Sequence, residues 1–232
     1  ASPMVTDPGT RFVYGVGYDW LGLVLEAAGG QLLDEYLAEH VFGPLGMHDT
    51  TFRPTDEQRA RCVPVHVRDD TGWVASDIDW DRRPTWCSGG HGLYSTPRDF
   101  LRFQQVLLAG GALGGTRVLD PSSVREAFTG QLADLPVPAT LPTTNPAWSS
   151  DFVIGAGNTW GWGLLLSTAD RPGGRAAGSG SWTGIFNTNF WIDPRTGVTG
   201  ALYTQALPFS APPVLDLYDR FGTIGKVLRH LA

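Results

Sequence analysis

Arg11-Phe12-Val13-Tyr14-Gly15-Val16-Gly17-Tyr18-Asp19-Trp20-Leu21-Gly22 is the stretch around which the rest of the chain is organised. Glycines at positions 15 and 17 leave the backbone after Tyr14 free to adopt conformations that other residues avoid. Apolar residues at helical spacing follow at once: Trp20, Leu21, Val24, Leu25 and Ala28. Asp19 suits the first turn of that helix, and Gly29-Gly30 stops it. A tyrosine on a loop that leads into a helix can project its hydroxyl into a cleft, which makes Tyr14 the chemical candidate. Tyr18 is its rival, and a core tyrosine is the plain alternative.

Composition narrows the class. The chain has 232 residues, 42% hydrophobic and 17% charged, with nine Trp and eleven Phe, so it builds a substantial core. No window approaches the roughly 18 consecutive apolar residues of a membrane span. The net charge is -6 and Lys226 is the single lysine, which argues against nucleic acid and anionic membrane surfaces as partners. Cys62 and Cys87 lack metal-type spacing and read as small buried hydrophobes, with no disulfide framework. His40, His48, His66, His91 and His230 are scattered, so no metal site is expected. Residues 1–10 are neither a signal nor a transit peptide and read as an interior loop, so the chain is expected to begin partway through a larger fold. Localisation stays open, with the cytoplasm slightly favoured.

A second helix is predicted from Leu32 to Val41, then a tight turn over Phe42–Met47. Val63–Val67 and Trp73–Ala75 read as short strands around the turn Asp69-Asp70-Thr71-Gly72. Ser88-Gly89-Gly90-His91-Gly92 is a glycine-rich loop without a phosphate-cradle pattern. Thr96 as N-cap with Pro97 and Asp99 starts a helix that ends at Gly110-Gly111, and Pro121 begins another. Four prolines between residues 130 and 150 exclude a regular element and mark a long loop. Trp160–Leu166 and Thr183–Ile192 read as strands, with Val198–Gln205 returning after a turn at Asp193–Gly197. A closing helix runs from about Pro213 to Leu231. The reading is α+β: a single incomplete domain, mainly helical over 1–129, a loop over 130–150, and sheet plus helix over 151–232.

Four segments in order carry a resemblance. They are Tyr14-Gly15-Val16; Pro44-Leu45-Gly46-Met47-His48-Asp49-Thr50; Ser88 to Asp99; and Gly180-Ser181-Trp182-Thr183-Gly184. Together they resemble the serine hydrolases of the beta-lactamase-like and penicillin-binding-protein-like superfamily, with the closest likeness to family VIII carboxylesterases and transesterases. The resemblance implies the beta-lactamase/transpeptidase-like fold: an antiparallel sheet with flanking helices and a mostly helical region. It also implies three catalytic elements. Ser-x-x-Lys carries the nucleophile, a tyrosine helps move its proton, and Lys-Thr-Gly or Trp-x-Gly lies on an edge strand beside the scissile bond. A serine hydroxyl must lose its proton to a nearby base before it attacks, and a phenol serves only where cations stabilise its phenolate.

On this resemblance Tyr14 matches the second element. Trp182, Thr183 and Gly184 match the third, with Ile185 offering an oxyanion N–H. A tryptophan in a strand core is the bland reading of Trp182. Val16 stands where lactamases carry Asn, which favours an ester over a beta-lactam. The first element is absent, since Thr223-Ile224-Gly225-Lys226 has no serine and lies in the closing helix. The expected partners are a small ester or amide substrate and a missing N-terminal segment of the same fold. No cofactor and no metal are implied. The function read here is acyl transfer or hydrolysis through an acyl-serine, by a fold that this chain alone leaves inactive. The alternatives are a non-catalytic binding or scaffolding member of the fold, and a D-amino-acid peptidase or beta-lactamase. Without its N-terminal portion the chain is expected to expose Val198–Leu202 and the closing helix.

Overall fold

The computed structural model describes residues 5–78, 84–171 and 174–229. In chain order, the first helices are α1 (Gly17–Gly29), α2 (Leu33–Leu37), α3 (Gly43–Leu45) and α4 (Asp56–Ala60). Then come β1 (His66–Asp69), β2 (Gly72–Ala75), α5 (Pro97–Leu108), β3 (Ala112–Leu113), β4 (Thr116–Arg117) and α6 (Pro121–Ala127). The rest holds β5 (Thr140–Leu141), β6 (Phe152–Val153), β7 (Asn158–Trp160), β8 (Leu165–Ser167), β9 (Gly180–Thr183), β10 (Asn189–Asp193), β11 (Val198–Leu202), β12 (Ala206–Leu207) and α7 (Pro212–Arg229). The architecture is α+β, as expected. Leu231, the expected end of the closing helix, lies outside the described residues.

Two compact units interleave along the chain. Ala1–Val13, His66–Ala75 and Pro121–Ala232 form one; Tyr14–Val65 and Ser76–Asp120 form the other.

The second of these is helical, and its helix ends obey local rules. Thr55 and Gln58 close a full capping box on α4, and the Thr96 hydroxyl accepts from the Asp99 N–H at 3.2 Å, with Pro97 opening α5. Gly30 ends α1 in the left-handed region at φ 65° and donates to Glu26 O. The helix expected over Leu32–Val41 breaks into α2 and a π-turn, Ala38–Phe42. Pro44 has no N–H for the carbonyl four residues back, so the ladder re-registers and Gly43 donates five residues back, to Ala38 O. Two apolar clusters fill the unit. One gathers Phe42, Leu45, Met47 and Val106; the other gathers Leu33, Phe52 and Cys87. Cys87 is buried as expected, and burial pushes its thiol pKa up, but Cys62 is exposed. Asp99 does more than cap: buried, it accepts from the Asp49 N–H at 2.8 Å and the Thr50 hydroxyl at 3.1 Å.

In the other unit, β11-β10-β9-β8-β7 form an antiparallel sheet, and β1 joins β2 antiparallel and β12 parallel. Three sequence expectations change here. Trp160–Leu166 is not one strand but the end of β7, a turn and the start of β8; Gly161 N–H donates to Leu164 O at 2.8 Å, with Gly163 at φ 78°. Thr183–Ile192 is likewise interrupted, because Asn187 adopts φ 63° and residues 184–188 turn between β9 and β10. The proline-rich stretch does hold a short strand, β5, paired with β6 in a part of the loop between Pro138 and Pro142. Gly200 lies under the Trp191 ring, which leaves no room for a Cβ. Trp191 in turn meets Tyr218 and Phe221 of α7 edge-on, at 5.8 and 5.2 Å. Asp193 is buried and accepts from Ala176 N–H as well as from its own turn.

The apolar surface expected to be uncovered at Val198–Leu202 is half-buried there, and Val214 and Tyr218 of α7 are buried, while Leu217 is exposed. The larger uncovered apolar stripe lies at α1, where Val16, Trp20, Leu21 and Val24 are each more than half exposed (58, 61, 58 and 60%).

Replacing Asp99 with Ala leaves the Asp49 N–H and the Thr50 hydroxyl without their shared acceptor. The expected loss of stability is about 1–3 kcal/mol, the cost of stranding such groups, read from urea melts of the parent and the variant.

Candidate active site

Tyr14 sits on the loop three residues before α1 and is 45% exposed. Tyr18, its rival, is half-buried inside α1. Contrary to the sequence argument, neither Gly15 nor Gly17 lies in the left-handed region, and nothing crowds either position. The loop is therefore not held by glycine geometry. Nor is the helix start held by a cap: Val16 occupies the N-cap position and offers no side-chain acceptor.

What touches this helix start is the glycine-rich loop. Asp19 Oδ1 accepts from Ser88 Oγ and from the Gly90 N–H, the latter at 3.1 Å. Gly90 N–H also reaches Ser88 Oγ at 3.1 Å, and His91 Nδ1 stands 3.8 Å from the same carboxylate oxygen. Ser88 is buried, whereas the His91 side chain is 57% exposed. The two backbones nearly touch: a Cβ on Gly89 would overlap the Tyr18 carbonyl oxygen, and one on Gly22 would come within 3.3 Å of the Gly89 nitrogen. Sequence reasoning left Asp19 as a first-turn acid, read Ser88–Gly92 as a glycine-rich loop and gave His91 no place in the site. The available signal was the pairing of Gly22, one turn after Asp19, with the doublet Gly89-Gly90.

Trp182 and Thr183 end β9, and Gly184 and Ile185 enter the turn that follows. The Trp182 ring packs edge-on against Trp160 at 4.6 Å and Phe152 at 5.9 Å, so its side chain is part of an apolar cluster. The expected edge strand is instead the middle of five. Its pairing with β8 covers only Gly180 and Ser181, because β8 turns away toward β7; Trp182 and Thr183 run past that partner. Gly184 N–H is engaged with Thr188 O at 2.8 Å. Among the described residues, the Thr183 hydroxyl is buried with no hydrogen-bond partner. Ile185 is 39% exposed in the turn. Tyr14 belongs to one compact unit and Trp182–Ile185 to the other. Lys226 falls on α7, and its side chain lies outside the described residues.

Among the described residues no cluster of three His, Cys, Asp or Glu side chains is placed to hold a metal ion. No described helix is long and apolar enough to cross a membrane.

This fold, with a tyrosine loop ahead of a helix and a Trp-Thr-Gly strand end, defines a beta-lactamase/transpeptidase-like protein. The chain belongs to the beta-lactamase family, whose model, described as "Beta-lactamase", matches residues 1–221. It is 29% identical over 235 residues to a lovastatin esterase of Penicillium rubens, covering 94% of this chain and 57% of the esterase. It is 28% identical over 242 residues to a monacolin J acid methylbutanoyltransferase of Aspergillus terreus, covering 95% of this chain and 55% of that enzyme. Among solved structures, a mutant of the simvastatin synthase of Aspergillus terreus superposes with a TM-score of 0.85 at 26% identity, over 100% of this chain and 58% of that one. The chain thus spans about half the length of the curated relatives it matches, and it belongs to a family of beta-lactamase-fold hydrolases and acyltransferases.

Alanine at Gly89 would drive a methyl group into the backbone of α1, which no side-chain rotation relieves. A lowered melting temperature is expected for Gly89→Ala, whereas Gly15→Ala, where nothing lies within 4 Å, is expected to melt like the parent.

Proposed function

We propose that this chain is the C-terminal part of a serine esterase or acyltransferase that works through an acyl-serine intermediate on small-molecule esters. The observation that carries this reading is the match, along nearly the whole chain, to a lovastatin esterase and a methylbutanoyltransferase. Both chemistries share one first half. A serine oxygen attacks the acyl carbonyl, the acyl–oxygen bond of the substrate breaks, and the alcohol leaves with a proton. Water then takes the acyl group in hydrolysis, and a second alcohol takes it in transfer.

In this reading Tyr14 accepts the serine proton and returns it to the leaving alcohol. Its exposed phenol on a short loop suits a group that must reach substrate. Ile185 contributes a backbone N–H to the developing oxyanion; no described residue accepts from it. Trp182 acts by holding the end of β9 through the Trp160–Phe152 cluster rather than by touching substrate. Val16 takes the place of an Asn that beta-lactam chemistry uses, which weighs toward esters. The Ser-x-x-Lys element would come from the full-length protein.

Two outcomes test the reading. The purified 232-residue chain is expected to show no turnover of a p-nitrophenyl ester; turnover that disappears on replacing one of its own serines would overturn the assignment of the nucleophile elsewhere. In the full-length protein, Tyr14→Phe is expected to lower kcat/KM by about 10²–10⁴-fold, the usual worth of positioned acid–base help. Tyr18→Phe should stay close to the parent. A chromogenic cephalosporin assayed beside the ester separates the esterase reading from a beta-lactamase.

A further inference from the structure

From the geometry of the α1 start we infer that Asp19 is a positioning residue for Tyr14, acting by pinning the N-terminus of α1 to the loop Ser88–Gly92. The inference rests on the acid–base role proposed for Tyr14. Its basis is a gap in local structure that a tertiary contact fills. Helix α1 begins at Gly17 with no side-chain cap, and its first-turn amides of Asp19 and Trp20 both depend on the single carbonyl of Val16, at 3.1 and 3.3 Å. Left to local forces such a helix start frays, and the three-residue lead from Tyr14 frays with it.

Asp19 supplies the restraint. Its carboxylate does not bend back to cap its own helix. It crosses instead to Ser88 Oγ and the Gly90 N–H, about seventy positions along the chain, where two donors converge on one oxygen. The partner on the far side is rigid: Ser88 is buried, and Gly89 lies against the Tyr18 carbonyl too closely for any larger residue. Helix and loop therefore move as one body, and Tyr14 is held four residues from the seam, which begins at Tyr18. A proton-transfer group displaced by an ångström loses much of its effect, so this restraint bears on rate and not on stability alone.

The test uses the full-length protein and a p-nitrophenyl ester, with kcat, KM and melting temperature measured for each variant. Asp19→Ala and Ser88→Ala are each expected to lower kcat about ten- to a hundred-fold, the scale on which such misplacement acts, with KM little changed. The double variant is expected to be no worse than either single, because both remove one tie. Asp19→Asn keeps an oxygen acceptor in place and is expected to recover most of the lost kcat. Lowered melting temperatures with kcat at the parent value, or losses in kcat that simply add, overturn the inference. Should Asp19→Ala fail to fold, Ser88→Ala, which deletes one oxygen, decides by the same criterion. Tyr14→Phe is run beside them. If it is inactive while Ser88→Ala keeps the parent kcat, the positioning role alone fails; if Tyr14→Phe is itself near normal, the functional reading falls and the inference with it.

Discussion

Close backbone approach between α1 and the loop Ser88–Gly92 is the constraint on which the helical unit depends. Two polypeptide segments can come this near only where side chains are absent, and Gly22, Gly89 and Gly90 meet that condition. An apolar contact would leave the Gly90 N–H and the Ser88 hydroxyl unsatisfied at the seam. The Asp19 carboxylate answers both. Where Thr55 and Thr96 cap α4 and α5 locally, one acidic side chain in the first turn of α1 ties that helix start to a distant loop.

The other unit is organised by aromatic packing on a sheet. Trp160, Trp182 and Phe152 interlock edge-on, and Phe12 adds to the same cluster with its ring tilted against Trp160 at 5.4 Å. This holds the end of β9 where its partner β8 has turned away. The β8 ladder thus covers only the first half of β9, Gly180 and Ser181. In the middle of β10, Trp191 bears on Gly200 of β11 and on Tyr218 and Phe221 of α7, so rings also pin the sheet to its closing helix.

Function in this fold comes from such supported loops rather than from the elements themselves. Tyr14 and Ile185 both lie just outside regular structure, one before a helix and one after a strand. In the function proposed here each would be placed by its neighbours: Asp19 and the glycine seam for the first, Trp182 and its ring cluster for the second.

The helix start at Thr96, the helix stop at Gly30 and the hairpin at Asp69–Gly72 were legible in the sequence, because each depends on residues within four positions of one another; the short helix capped by Thr55 was not read. So was the ordered motif set that names the family. The breaks within Trp160–Leu166 and Thr183–Ile192 were not, since apolar composition reports burial without saying where a strand must turn. Asp19 and Asp99 looked like ordinary first-turn acids; their partners, Ser88 and Asp49, lie some fifty to seventy residues away, and only folding reveals which distant donor a carboxylate will meet. By itself the sequence determined the ends of α1 and the start of α5, the α+β order and the family, all of which follow from short-range rules or ordered motifs. Tertiary structure alone decided that β9 is a central strand and that a glycine loop clamps the start of α1, because pairing partners and backbone clearance are properties of the packed chain.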